Sequence, residues 1–318
     1  MNAEWLSVAL LILPVFVVLL EWGIGFTGHL NPLYYYQHIA IFIAKRVNRL
    51  ENGVSQQQLA GLLAMLLLVG VPLAAYWGLS VLADIPLLLE ATLLFLLLGW
   101  RTIMHDMNLV MNELTSRQST KARLRLSHWV LRDTHQLEQQ QMVSAASESL
   151  VLNLAQGWFG VLFWYALLGP YAALCYRLIE QLHWSWNPKL ARYQAFGLRA
   201  SQCHQLLSYL PKQIVGLLMC LFGRVGHNFT LRRQGFRWPQ TSSGQLIGIT
   251  ASWLASELGG QRHYEGLPAS YPLFGPRRKP PLVSDFRVLR LRCYLTACNY
   301  LIFIIYPLLI VRYVISGI

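Results

Sequence analysis

Two carboxylates and two arginines stand out as residues able to do chemistry. Arg132-Asp133-Thr134 lies shortly before Ala145-Ala146-Ser147-Glu148-Ser149, and Arg192-Tyr193 follows within 191–197. A guanidinium presents a planar fork of N–H donors that matches a phosphate. Asp133 and Glu148 are suited to share a magnesium ion with substrate phosphates, since that hard cation is held by few carboxylates plus phosphate oxygens. Each residue also has a plainer reading. A bare Arg-Asp-Thr is more often a local salt bridge or helix cap, and carboxylates beside a membrane also serve ordinary ion pairs.

The elements that must position these residues are read from hydropathy. The chain has 318 residues, of which 55% are hydrophobic and 13% charged, and its mean hydropathy is +0.39. Soluble domains carry about a quarter charged residues. The deficit is gathered into four nearly uncharged runs, at 6–20, 59–83, 87–100 and 294–315. A helix crosses a hydrocarbon core with ~20 apolar residues, so firm spans are expected at about 5–25, 59–83, 86–103 and 294–315. The first run lacks the basic leader and small-residue site of a cleavable signal, which predicts a retained helix.

Net charge is +12, yet no nucleic-acid motif accompanies it. Between Arg224 and Arg292 there are eleven Lys/Arg against three acids. Basic residues concentrate in cytoplasmic loops, which predicts that 101–156 and 224–293 lie inside and both termini outside. Anionic lipid or a phosphorylated substrate is the other use for such charge. The five cysteines form no CxxC pair; three lie in or beside apolar runs, where free Cys behaves as a small hydrophobe.

Two segments, 157–179 and 206–223, are interrupted by Leu168-Gly169-Pro170 and by Pro211-Lys212. They are expected to dip into or cross the bilayer, since irregular backbone at that depth is tolerated where protein or water covers it. The connections are mostly helical in pattern, including 139–154 and a helix from Thr241 to Leu258 that Gly259-Gly260 ends. Prolines and glycines predict an irregular loop over 267–281. The reading is an all-α integral membrane protein in a single domain, 1–318, with four firm transmembrane helices, two Pro/Gly-interrupted membrane segments and helical cytoplasmic loops.

The polar islands run in a fixed order: Arg132-Asp133-Thr134, 145–149, Asn153-Leu154-Ala155-Gln156-Gly157, Leu162-Phe163-Trp164, 191–197 and Tyr209-Leu210-Pro211. That order and spacing resemble the CobD/CbiB family of inner-membrane proteins, which make adenosylcobinamide phosphate in cobalamin synthesis. The resemblance implies a synthase joining an amino-alcohol phosphate to a corrin carboxylate with ATP and magnesium. It implies Asp133 and Glu148 as catalytic and metal-binding residues, and Arg132, Asn153, Arg192 and Tyr193 as substrate-binding ones. Expected partners are membrane lipid and a corrinoid substrate, with no nucleic acid.

Scaffold residues match that family better than acids do. Leu152, Gln156, His183, His204, Gln205 and Ile247 stand where the pattern usually has carboxylates, and its Gly-Asp-Pro and His-Pro survive as Asn31-Pro32 with Gly28-His29 nearby. His183 and His204 offer softer ligands, weighed against satisfied structural histidines. The departures imply a degenerate site of weak or altered activity. The alternative is a non-catalytic sensor or regulator on the same scaffold, like the AmpE membrane proteins, which share an element like Ala191-Arg192-Tyr193-Gln194.

Overall fold

The computed structural model describes residues 3–26, 31–276 and 279–316, and side chains from Leu11 to Val314. Gly28, His29, Arg277 and Arg278 lie outside the described residues. The first helices are α1 (Ala3–Ile24), α2 (Pro32–Val47), α3 (Val54–Leu82), α4 (Pro86–Leu97), α5 (Trp100–Thr115), α6 (Ser119–Ser127) and α7 (Gln139–Asn153). A π-helical turn, Leu154–Phe159, leads into α8 (Gly160–Leu168), α9 (Pro170–Ser185), a 3-10 turn at Ala191–Tyr193 and α10 (Leu198–Cys220). Then come α11 (Val225–Gln234), a 3-10 turn at Gly235–Arg237 and α12 (Thr241–Leu254). Strands β1 (Leu258–Gly259), β2 (Arg262–Tyr264), β3 (Leu267–Ala269) and β4 (Leu273–Phe274) precede α13 (Asp285–Tyr300), a π turn at Leu301–Ile305 and α14 (Tyr306–Ser316).

Among the described residues, four helical stretches are long and apolar enough to cross a membrane: Val54–Leu82, Pro86–Thr115, Gln139–Leu168 and Asp285–Val314, with a shorter apolar helix at Leu11–Ile24. Helix α3 shows why lipid is their solvent. It buries Ala64, Met65, Leu68 and Val69, yet Leu59, Leu63, Leu66, Leu67 and Val71 on its other faces are exposed. A helix apolar all round needs an apolar surrounding on every side. The chain is a multi-pass membrane protein.

The expected spans at 59–83, 86–103 and 294–315 fall in three of these stretches, and 5–25 falls in α1. Gln139–Leu168 was not legible as one helix, because its first half is polar. Its polar Ser147, Glu148 and Ser149 face protein, since 145–151 are all buried, while Gln139, Gln140 and Gln141 at its start are exposed. The segment at 157–179 is a helical hairpin. Helix α8 stops at Leu168, Gly169 turns with φ 87, and Pro170 takes the first position of α9, where its missing N–H costs nothing.

The chain forms two compact units, one of 1–101, 156–208 and 301–318, the other of 102–155 and 209–300. In the first, α9 is the hub, packed on α2, α3, α4 and α8. In the second, α12 fills the centre, buried from Ser243 to Leu254 and packed on α7, α11 and α13. The helix expected to reach Leu258 ends at Leu254, with Ala255 in the left-handed region at φ 48.

Two short antiparallel pairs follow α12. Leu258 faces Phe274 and Gly259 faces Leu273; inside them Arg262 faces Ala269 and Tyr264 faces Leu267. Glu265 and Gly266 make the inner turn with φ 51 and 79, the conformation that two-residue hairpins prefer. The irregular loop expected over 267–281 therefore contains two strands. Runs of two or three residues hold too little alternation to be read.

Candidate functional site

In the second unit the residues meet at Glu148. Helix α7 is started by a capping box between Glu138 and Gln141, and it carries Glu148 inward, where 2% of it is exposed. The Nη2 groups of Arg132 and Arg262 both donate to Glu148 Oε2, at 3.1 and 2.8 Å. Gly259 N donates to Oε1 at 2.8 Å, so both oxygens are engaged. Burial pulls the Arg132 guanidinium below its ordinary range, and the Glu148 charge opposes that shift. Two guanidiniums share one carboxylate, which leaves a formal charge of +1 in a buried cluster.

Arg262 also lies against two rings that pack on each other, 4.8 Å from the Trp238 centroid and 4.9 Å from that of Tyr271. Cation–π contact of this kind offsets part of the cost of burying the charge. The Tyr271 hydroxyl is pushed above its usual range by burial first, then by Tyr264.

Asp133 does different work. Its N–H donates to His263 O at 2.8 Å, and its Oδ2 accepts from Gly266 N at 2.9 Å. It therefore ties the tip of the β2–β3 hairpin, while Arg132 beside it reaches Glu148. Asn153 Nδ2 donates to Ser149 O and Oγ at 2.8 and 3.0 Å, and Ser149 Oγ donates to Trp129 O.

This donor set does not fit the magnesium expected at Asp133 and Glu148. Glu148 already faces two cations, and Asp133 holds a backbone N–H instead of joining Glu148. No group of three His, Cys, Asp or Glu side chains able to hold a metal occurs among the described residues. His183 and His204 do come together, in the first unit, but as stacked rings 4.6 Å apart and 17° from parallel. Parallel planes do not aim two nitrogens at one point, which favours the structural reading of the pair.

Arg192 and Tyr193 also belong to the first unit. Arg192 is exposed, its carbonyl accepts from Asn48 Nδ2 at 2.8 Å, and its guanidinium lies 5.8 Å from the Tyr193 ring. The acid-replacing residues take varied places. Ile247 is 1% exposed within α12, where an ionised carboxylate would be costly, whereas Gln205 is exposed.

Sequence reasoning missed a second charged cluster, in the first unit. Arg177 pairs with Glu180 inside α9, Gln181 Nε2 donates to Glu180 Oε2 at 3.4 Å, and Gln37 Nε2 donates to Gln181 Oε1 at 2.6 Å. A Cβ at Gly157 would stand 2.5 Å from Arg177 Nη1, so that glycine makes room for the guanidinium. The π turn places Gln156 O to accept from the Tyr176 hydroxyl at 2.6 Å; such turns recur at functional sites. The available signal was the i, i+3 pair in an apolar segment, since ionisable residues there are rarely incidental. Arg262 was counted only as one charge of a basic tract.

A membrane fold of this make, with its charged cluster built from α7 and a pair of hairpins, has sequence relatives. The family model described as CobD/Cbib protein matches residues 14–290, and the chain belongs to that family. It is similar to the cobalamin biosynthesis protein CobD of Stutzerimonas stutzeri, 32% identical over 205 residues, covering 64% of this chain and 68% of the relative. The CobD of Chromobacterium violaceum is 30% identical over 239 residues, 75% and 77% of the two chains. The cobalamin biosynthesis protein CbiB of Salmonella typhimurium is 25% identical over 273 residues, 82% and 86%. No solved structure matches the chain.

Proposed function

We propose that the protein acts in cobalamin biosynthesis as an amide-forming synthase that joins an amino-alcohol phosphate to a corrin carboxylate. The family match over 14–290 carries the reading. Its site in the second unit is the Arg132–Glu148–Arg262 cluster, whose excess positive charge suits an anionic substrate group. Glu148 fixes both guanidiniums, and Asp133 holds the hairpin that delivers Arg262. Asn153 in that unit is a further substrate contact. ATP is the co-reactant, and no resident magnesium is assigned to Asp133 and Glu148. The biosynthetic names of the relatives do not favour the sensor reading.

The proposal extends to location: the bacterial inner membrane, with the basic connections 101–156 and 224–293 cytoplasmic. Outside labelling of intact cells at Thr120 or Pro280 would contradict that. The activity test is amide formation from adenosylcobyric acid and aminopropanol phosphate by the purified chain with ATP and magnesium. Product is expected, at lower turnover than from a family member with the full acidic set. Its complete absence, with that member active in parallel, overturns the enzyme reading.

A further inference from the structure

The second unit carries an exposed surface that the proposed chemistry does not use. The part of α10 in that unit buries Lys212, Val215 and Met219, while Leu210 and Leu217 along its other side, and Leu221 in the turn that follows it, are 49%, 46% and 62% exposed. Leu210 and Leu217 fall at i and i+7, one face of a helix. In the elements that follow, Val225 and Phe236 are also exposed, at 42% and 62%. Arg224 just before α11, Arg233 on it and Arg237 in its 3-10 continuation are all exposed. Among these, none is paired with an acid in the structure, and the sequence offers none nearby: 181–256 contains eight Lys/Arg and no Asp or Glu.

We propose that this surface, from Leu210 to Arg237, is an in-plane anchor for an anionic lipid leaflet. Its leucines and Phe236 enter the acyl boundary and its arginines meet lipid phosphates. An apolar face rimmed by basic residues is the design of helices that lie in the membrane interface. Helix α10 has 23 residues but is not among the helices apolar enough to cross, which suits lying over crossing. A second copy of the chain is the poorer occupant: a two-fold contact places the same patch on both sides, so arginine would face arginine. Anionic headgroups attract each basic residue near the surface by about five-fold in partitioning.

The test uses the full chain in nanodiscs of phosphatidylcholine, alone or with one third phosphatidylglycerol, and a fluorescent non-canonical residue in place of Phe236. The expected result is blue-shifted emission that needs the anionic lipid, weakens with salt, and falls about five-fold with Arg233→Gln. The triple variant R224Q/R233Q/R237Q should lose the shift entirely; the single variant keeps the test valid if the triple one misfolds. Equal emission in both lipids, or a shift indifferent to the arginines, overturns the proposal. So does a shift reversed by millimolar inorganic phosphate at constant ionic strength, which would mark a site for a soluble phosphate instead of a leaflet.

Discussion

Each unit buries charge, but in opposite arrangements. At Glu148 one carboxylate serves two guanidiniums that arrive from separate elements, the 132–134 segment and strand β2. At Glu180 one carboxylate serves one guanidinium from its own helix, and glutamines extend the network. The first arrangement is charged and draws on residues 16 and 114 positions from Glu148; the second is neutral, its ion pair closes within α9, and Gln37 of α2 joins it through Gln181. A buried charge without a full partner is costly, so the surplus at Glu148 supports the anionic-substrate site proposed there. The Arg177–Glu180 pair is already balanced, and its plain reading is that it fixes helix packing.

Substitutions can break that contrast. The largest effect is expected for Glu148→Gln, which leaves two buried guanidiniums with no carboxylate. Breaking a buried ion pair from one side costs ~3–5 kcal/mol, so thermal stability of the purified protein should fall and rescue of a cobalamin auxotroph should cease. Full rescue would remove Glu148 from the site. Arg177→Met should destabilise by a similar ~3–5 kcal/mol, but the double variant R177M/E180L should regain most of it, because a well-packed apolar pair replaces an ionic one at little cost. If the double variant regains stability and still fails to rescue, the first unit's pair takes part in function and the contrast fails. Gly157→Ala should cost less, ~1–3 kcal/mol, as its new methyl group pushes on Arg177; a thermal shift reads it.

How much of this was legible follows from the physics that wrote each part. Apolar runs announce spans such as Val54–Leu82, since lipid demands apolar side chains on every face. Gln139–Leu168 stayed hidden because protein covers its polar Ser147, Glu148 and Ser149, so composition there reports packing and not solvent. The islands named Arg132 for a phosphate and Asp133 with Glu148 for a metal; in the structure it is Arg132 that meets Glu148, at 3.1 Å. They could not reveal Arg262, because its place depends on β2, a strand of three residues paired through a turn. Nor could they show that Asp133 faces the hairpin and not Glu148. Side-chain direction in an irregular segment has no period to read.

The smallest effect tests that last distinction. Asp133 Oδ2 accepts one backbone N–H, from Gly266, and nothing in that bond requires a negative charge. Asp133→Asn keeps an oxygen able to accept it, so the loss should stay within about 0.5–1.5 kcal/mol, the worth of one hydrogen bond. Amide formation should then remain close to that of the unaltered protein. Asp133→Ala, which removes the acceptor, should loosen the hairpin and lower activity through Arg262. Hydrogen exchange at Gly266 and Leu267 would report that loosening directly. A metal ligand behaves otherwise: the neutral amide would be as damaging as alanine, since magnesium binding depends on carboxylate charge. Equal loss in the two variants, with the hairpin still protected in Asp133→Asn, would return Asp133 to the chemistry and leave the hairpin as its support.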